Sequence, residues 1–343
     1  MWEIKHNIMI ELRSDTFTKP TKPMLEAMMA AKVGDDVFGD DPTVNLLEEK
    51  MANIFDMEAA VFCPSGTMAN QIAIRVHTQP QDEVICDKNA HIYLYEGGGM
   101  ASNSGVTPAL LDGDRGRITA AQIAAVIKPD DVHAPVSRLV SLENTMNKGG
   151  GSYYDFKEIL KIKKLCNDKG LALHLDGARL YNALAETNET PSDYGNVFDT
   201  ISVCLSKGLG APIGSVLLGS VAHIKKARRV RKVFGGGMRQ AGYLAAAGLF
   251  ALENNVERLK IDHQRARVLG DALNKASFVE EVMPVNTNIV IFLVDNVQKR
   301  VAQLKEKGVL AVPFGGNQIR FVTHLDFTEQ MLEQTVEIIK ALN

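Results

Sequence analysis

The chain has 343 residues, 45% of them apolar, enough to bury a large core and to form two domains. A formal net charge of −3 gives no global field that would draw nucleic acid or an anionic membrane, and neither is expected as a partner. No apolar run reaches membrane length, and Met1-Trp2-Glu3-Ile4-Lys5-His6 carries charges where a signal peptide needs apolar residues; the cytoplasm is the expected compartment.

In chain order, Asp41-Pro42 supplies an N-cap and a first-turn proline for a helix whose Val44, Leu47, Met51 and Ile54 recur at helical spacing. Short strands are expected at Ala59 to Cys63, Glu83 to Cys86, Arg138 to Leu142, Leu171 to Leu175, Thr200 to Leu205 and Ser215 to Leu218. Between two of them, Asp155 with Glu158 makes a capping-box-like start, Ile159, Ile162 and Cys166 form an apolar stripe, and Gly170 ends the helix. Alternating strands and helices predict an α/β chain with a mostly parallel sheet covered by helices. From about Leu244 a long helix is expected. It is followed by a strand from Asn288 to Val294, a helix from Val297 to Lys307, two short strands at Val309 to Pro313 and Gln318 to Thr323, and a helix from Glu329 to Leu342. The expected domains are a large one over residues 1–255 and a small C-terminal α/β one over 256–343.

Cys63, Cys86, Cys166 and Cys204 lack metal-ligand spacing and read as small buried hydrophobes, and no metal is expected. The basic run Lys225 to Lys232 has no interleaved aromatic residues, so it reads as a solvated helix face or a subunit contact.

In open α/β sheets ligands sit outside the carboxyl ends of the strands, and four polar groups fall there. Pro64-Ser65-Gly66-Thr67-Met68-Ala69-Asn70 joins a strand to a helix; the glycine allows close approach, and free first-turn N–H groups with the Thr67 hydroxyl suit a phosphate. His91, just before Tyr95-Glu96-Gly97-Gly98-Gly99, offers an aromatic ring with a carboxylate nearby. In Leu173-His174-Leu175-Asp176-Gly177-Ala178-Arg179, His174 and Asp176 point to one side of a core strand. His174 is given a supporting role, and Arg179 can clamp a carboxylate. Lys207, in Leu205-Ser206-Lys207-Gly208-Leu209-Gly210, leaves a buried strand into a glycine-rich turn, where an amine can become a nucleophile or a Schiff base. A lysine for an aldehyde and a carboxylate for a pyridine nitrogen together suggest pyridoxal 5′-phosphate (PLP).

These motifs, with Leu12-Arg13-Ser14-Asp15-Thr16, Val37-Phe38-Gly39-Asp40-Asp41-Pro42, Leu142-Glu143-Asn144-Thr145 and Gln318-Ile319-Arg320-Phe321, run in order along nearly the whole chain. In that order they resemble the L-threonine aldolases of the β-eliminating-lyase group of fold type I PLP enzymes. The resemblance implies a PLP-dependent transferase-like large domain with a mostly parallel seven-stranded sheet, a small C-terminal domain, and retro-aldol cleavage of L-threonine or L-allo-threonine to glycine and acetaldehyde. It also implies that Lys207 takes up the cofactor aldehyde, Asp176 holds the pyridinium, Gly66 and Thr67 bind the phosphate, and His91 stacks on the ring. Ser14, Arg179 and Arg320 would bind the substrate carboxylate. Arg239, in Gly235-Gly236-Gly237-Met238-Arg239-Gln240, would reach the phosphate region, of a neighbouring subunit in a homodimer or homotetramer. Many members carry a histidine near the substrate hydroxyl where this chain has Met146, which cannot exchange a proton. The base candidates are His91, Glu96 and a bound water. The rival readings are a PLP-dependent lyase that eliminates a β-substituent from another amino acid, and a non-catalytic protein on the same fold.

Overall fold

In the computed structural model, which describes residues 9–342, the apolar runs become strands of three sheets. The reading of Met1 to His6 lies outside the described residues. The strands are β1 (Ile10–Glu11), β2 (Ala59–Cys63), β3 (Asp82–Asp87), β4 (Thr107–Leu111), β5 (Val136–Glu143), β6 (Ala172–Gly177) and β7 (Thr200–Cys204). They continue with β8 (Ser215–Gly219), β9 (Val279–Val282), β10 (Ile289–Val294), β11 (Val309–Leu310), β12 (Val312–Pro313) and β13 (Gln318–Val322).

Seven of them form one sheet in the order β2-β8-β7-β6-β5-β3-β4. Only β8 runs against its neighbours; the pairs from β7 to β4 are parallel. β7 and β8 are buried at every residue, as strands covered by helices on both faces must be. β4 is not among the strands expected from sequence. Pro108 stands inside it and Leu110 is exposed, as suits the edge of a sheet.

Local signals account for most helix starts. Asp41 accepts from the backbone N–H groups of Thr43 at 3.1 Å and Val44 at 3.0 Å, opening helix Pro42–Phe55. Asp155 opens Phe156–Lys169 and Gly170, at φ +66°, closes it. Glu158 does not complete a capping box there, because it accepts from the backbone N–H of Ala120 at 2.9 Å. The single helix expected from Leu244 is two, Gly242–Asn254 and Leu259–Leu273. At the break, the Asn255 side chain turns to donate to the Leu209 carbonyl at 2.7 Å.

Two main cores result. One packs Val140, Leu142, Leu173, Leu175, Ile201 and Val203 of the large sheet against its helices. The other packs Leu269, Phe292, Phe321 and Ile339 around the four-stranded sheet β12-β13-β10-β9. Ile10 and Leu12 belong to this second core, although the N-terminal segment was expected with the large domain. Pairing decides it: β1 lies parallel to β11, and the Leu12 carbonyl accepts from the N–H of Val322 at 2.9 Å. The segment thereby carries Arg13 to Thr16 between the two cores.

The basic run lies on helix Val221–Val233, and it is not simply a solvated face. Ile224, Ala227 and Arg231 turn inward, and the buried Arg231 pairs with Asp36 at 2.8 Å. All four cysteines are free and buried. Among the described residues no helix is long and apolar enough to cross a membrane.

Candidate active site

The parallel strands deliver their carboxyl ends to one edge of the large sheet, so β2, β3, β5, β6 and β7 each contribute a loop there. Lys207 follows β7. Gly210, at φ +81°, lets its N–H turn back to the Lys207 carbonyl at 2.8 Å, a conformation that favours glycine. The half-buried Lys207 lines a cleft of about 520 Å³ with Ser14, His91, Arg179 and Arg320, and among the described residues its amine has no hydrogen-bond or ion-pair partner.

Below the cleft lies a buried polar network centred on Asn70, in the first helix after β2. Its amide donates to Asp176 at 2.8 Å and to Glu96 at 2.9 Å, while its oxygen accepts from Ser202 at 2.6 Å. His174 Nε2 stands 3.2 Å from that same oxygen, and Nδ1 stands 2.9 Å from the Thr200 hydroxyl. Both side chains expected on one side of β6, His174 and Asp176, therefore meet at Asn70. Burial pushes the His174 pKa down to about 4, so the ring is neutral and serves as support. Asp176 is 2% exposed, and its second oxygen accepts from the N–H of Ala178 at 3.1 Å.

His91 opens the loop after β3, and its Nδ1 meets Glu96 at 2.9 Å. Donor atoms of His91, Glu96 and Asp176 all lie within 4.8 Å of one another. Burial opposes the imidazolium, but the Glu96 hydrogen bond and the Asp176 and Glu143 carboxylates outweigh it and raise the His91 pKa. Glu96 does not face the cleft as a base candidate should. Its buried carboxylate is held by Asn70, by Gln71 at 2.6 Å and by His91, so it orients the ring instead. Glu143, ending β5, accepts from the backbone N–H of His91 at 2.8 Å and of Asn147 at 2.9 Å. Burial, with Asp176 alongside, pushes its pKa up to about 7.

Helix Gly66–His77 begins directly after β2, with Ser65 as its cap. A Cβ at Gly66 would stand 2.5 Å from the Cys204 sulfur, so glycine is what lets this turn close against the strand that carries Lys207. In its first turn the Met68 N–H donates to the Ser65 hydroxyl at 3.2 Å, and Thr67 is exposed. Arg239 is not brought to the cleft within one chain; it is exposed and pairs with Asp35 at 2.9 Å.

The two expected arginine clamps differ. Arg179 is buried and bidentate to Asp15, Nε to Oδ2 at 2.8 Å and Nη2 to Oδ1 at 2.7 Å. Arg320, 8% exposed on β13, has no carboxylate partner among the described residues. It donates to Asn147 and to the Arg13 carbonyl, each at 2.8 Å, lies 4.4 Å from the Phe314 ring centroid, and leaves Nε unsatisfied. Burial and the nearby Arg179 lower its pKa to about 10. Ser14 lines the same cleft. Met146 lies elsewhere: it is fully buried and packed so tightly on Gly116 that a Cβ there would overlap it. Asn147 and Lys148 line the cleft instead.

Asn70, Asp15, Glu143 and Asn147 are functional neighbours to which sequence reasoning gave no role, although three of them stand inside the quoted motifs. Only Glu143 carried a signal in the sequence, a polar residue at the end of an apolar run; the partners of all four lie on distant elements.

The residues fit PLP by their chemistry: a buried carboxylate beside an imidazole, a helix start that closes against Cys204 and, among the described residues, an amine without a partner and a buried cation without a counter-ion.

Comparison with known proteins matches residues 11–297 to the family described as beta-eliminating lyase. The chain is 43% identical over 331 residues to a low specificity L-threonine aldolase of Escherichia coli O157:H7, covering 95% of this chain and 97% of that one. It is 41% identical over 343 residues to a probable low-specificity L-threonine aldolase 2 of Arabidopsis thaliana, covering 97% of each. Among solved structures, a threonine aldolase of Leishmania major superposes with a TM-score of 0.85 at 23% identity, covering 97% of this chain and 99% of that one.

Proposed function

Because this chain belongs to the beta-eliminating lyase family, on the fold of type I PLP enzymes, we propose that it cleaves L-threonine, L-allo-threonine or both to glycine and acetaldehyde. The observation that carries the reading is that one cleft brings together Lys207 and Arg320, an amine with no partner and a buried cation with no counter-ion among the described residues.

PLP would be held by Lys207, by Asp176 at the pyridine nitrogen, by Gly66 and Thr67 at the phosphate and by His91 against the ring. Bound there, it supplies an aldehyde that captures the substrate amine and a protonated ring that accepts the electron pair released when Cα–Cβ breaks. The chain does the rest. Asp176, fixed by Asn70 and Ala178, keeps the pyridine nitrogen protonated. Arg320 binds the substrate carboxylate with help from Ser14, because an anion there meets the open Nε and offsets a desolvated charge. Arg179 contributes through the side not taken by Asp15. Holding the carboxylate fixes the rotation about the amine–Cα bond and so selects Cα–Cβ for cleavage.

His91 is the better supported base. Glu96 holds Nδ1, Nε2 has no partner among the described residues, and the ring lines the cleft. Nε2 takes the β-hydroxyl proton, the C–O bond becomes a carbonyl as Cα–Cβ parts, and a proton returned to Cα gives glycine. The exposed Arg239 is available to the phosphate of a neighbouring subunit, which supports a homodimer or homotetramer, and the cytoplasm is the compartment we infer. The test is acetaldehyde release from each threonine diastereomer. Wild-type protein should release it, and Lys207→Ala should lose both the visible cofactor absorbance and at least ~10³-fold in rate. 2-Oxobutanoate and ammonia from threonine, in place of acetaldehyde and glycine, would establish β-elimination instead.

A further inference from the structure

Among the described residues, the cleft is lined by the cationic side chains of Lys148, Arg179, Lys207 and Arg320, together with His91, and by no aspartate or glutamate. Three of the four cations have an assignment. Asp15 neutralises Arg179, the cofactor aldehyde takes Lys207, and the α-carboxylate of an amino acid takes Arg320. Lys148 is left over.

Lys148 follows Asn147 in the loop after β5 and reaches across to the small domain. Its Nζ donates to the Phe314 carbonyl at 2.7 Å and lies 4.2 Å from the Phe314 ring centroid. Among the described residues no carboxylate pairs with it. An ammonium has three donors, and the carbonyl uses one. Beside it Gly315, at φ +100°, leaves open the space where a Cβ would stand 3.5 Å from Nζ. Phe314 is therefore flanked by two cations, Arg320 at 4.4 Å from its ring centroid and Lys148 at 4.2 Å, and both line the same cleft.

We propose that Lys148 is a second carboxylate site, which makes β-hydroxy-α-amino acids with an anionic β-substituent preferred substrates of this cleft. The orientation of the amino acid, with its α-carboxylate on Arg320, rests on the aldolase reading. A substrate so held extends its β-substituent away from Arg320 within the same cleft. A partly desolvated ammonium with two free donors favours a carboxylate there over a methyl group. In the reverse direction the matching partner of glycine is an aldehyde bearing a carboxylate. For 3-hydroxyaspartate the atoms balance as for threonine: the β-hydroxyl loses its proton, Cα–Cβ breaks, and glyoxylate leaves in place of acetaldehyde.

The experiment has a binding arm that needs no cleavage. The affinities of PLP-loaded protein for L-aspartate and L-glutamate are compared with that for L-alanine, in wild type, Lys148→Met and Lys148→Arg. A dicarboxylate advantage of about tenfold or more is expected, lost in Lys148→Met and kept in Lys148→Arg. In the kinetic arm, the ratio of kcat/KM for 3-hydroxyaspartate over threonine should fall by about tenfold in Lys148→Met. Taking a ratio removes any general effect of loosening the Phe314 loop, which both substrates would feel. An advantage that is absent in wild type, or that survives Lys148→Met, overturns the proposal. If wild type binds the dicarboxylates as expected but releases no aldehyde from any substrate, the aldolase reading falls and the second carboxylate site stands.

Discussion

The floor and the far wall of the cleft are built on opposite plans. On the floor, Asp15 with Arg179, Asp176 with Asn70, and Glu143 with two backbone N–H groups are paired within the protein. On the wall, Arg320 keeps an unsatisfied Nε and, among the described residues, Lys148 meets only a carbonyl and a ring. The floor is fixed by contacts within the fold, whereas the wall keeps donors unused. A residue from the floor should therefore cost stability when broken, and a residue from the wall should cost binding.

Asp15→Ala is the most damaging test. It leaves Arg179 buried without its partner, and such a break costs about 3–5 kcal/mol. Thermal or denaturant unfolding reads it directly. Burial alone would raise the Asp15 pKa, but Arg179, Lys207 and Asn288 outweigh it and hold the carboxyl well below the usual carboxylate range. Because the folded-state pKa is the lower one, Asp15 stabilises fully above its unfolded value of roughly 3.9, and this contribution fades as pH falls below that. A variant with unchanged stability would show that the floor is not paired as described.

Arg320→Leu comes next and should leave the fold nearly intact, since an apolar side chain replaces a buried charge with no counter-ion. We expect kcat/KM for amino acids to fall on the order of 10²-fold with the cofactor still bound. A large drop in Tm with normal kinetics would invert the contrast between the two walls.

Glu143→Gln has the smallest effect of the three. An amide has one acceptor oxygen, so the N–H of His91 or of Asn147 loses its partner, costing about 1–3 kcal/mol. Burial first, then Asp176, lifts the Glu143 pKa to about 7, above an unfolded value of roughly 4.3. Its contribution is therefore complete below pH ~4.3 and is lost as pH rises through about 7. The plot of Tm against pH should be flatter in the variant across that window; an unchanged slope would place the titration elsewhere.

The candidate site was legible in position because strand ends mark ligand sites in this architecture. Lys207, Asp176, Gly66 and His91 all stand at the end of a strand or just after one. Period-two burial put His174 beside Asp176, and Asn70 joins them in the fold. Less legible was the division of labour. Glu96 has the residue type of a base, yet Asn70, Gln71 and His91 enclose its carboxylate. Met146 follows Asn-Thr in the motif, yet it packs on Gly116 while Asn147 faces the cleft.

By itself the sequence determined the parallel α/β sheet, the loops that carry the site and the residue types that suit the cofactor, because these follow from local periodicity and turn chemistry. Only the tertiary structure decided which charges cancel. Arg179 finds Asp15 across 164 positions, and Arg320 meets the Arg13 carbonyl across 307 without finding a carboxylate. Spacing along a chain fixes which face a side chain takes, but the partner waiting on that face is set by how distant elements pack.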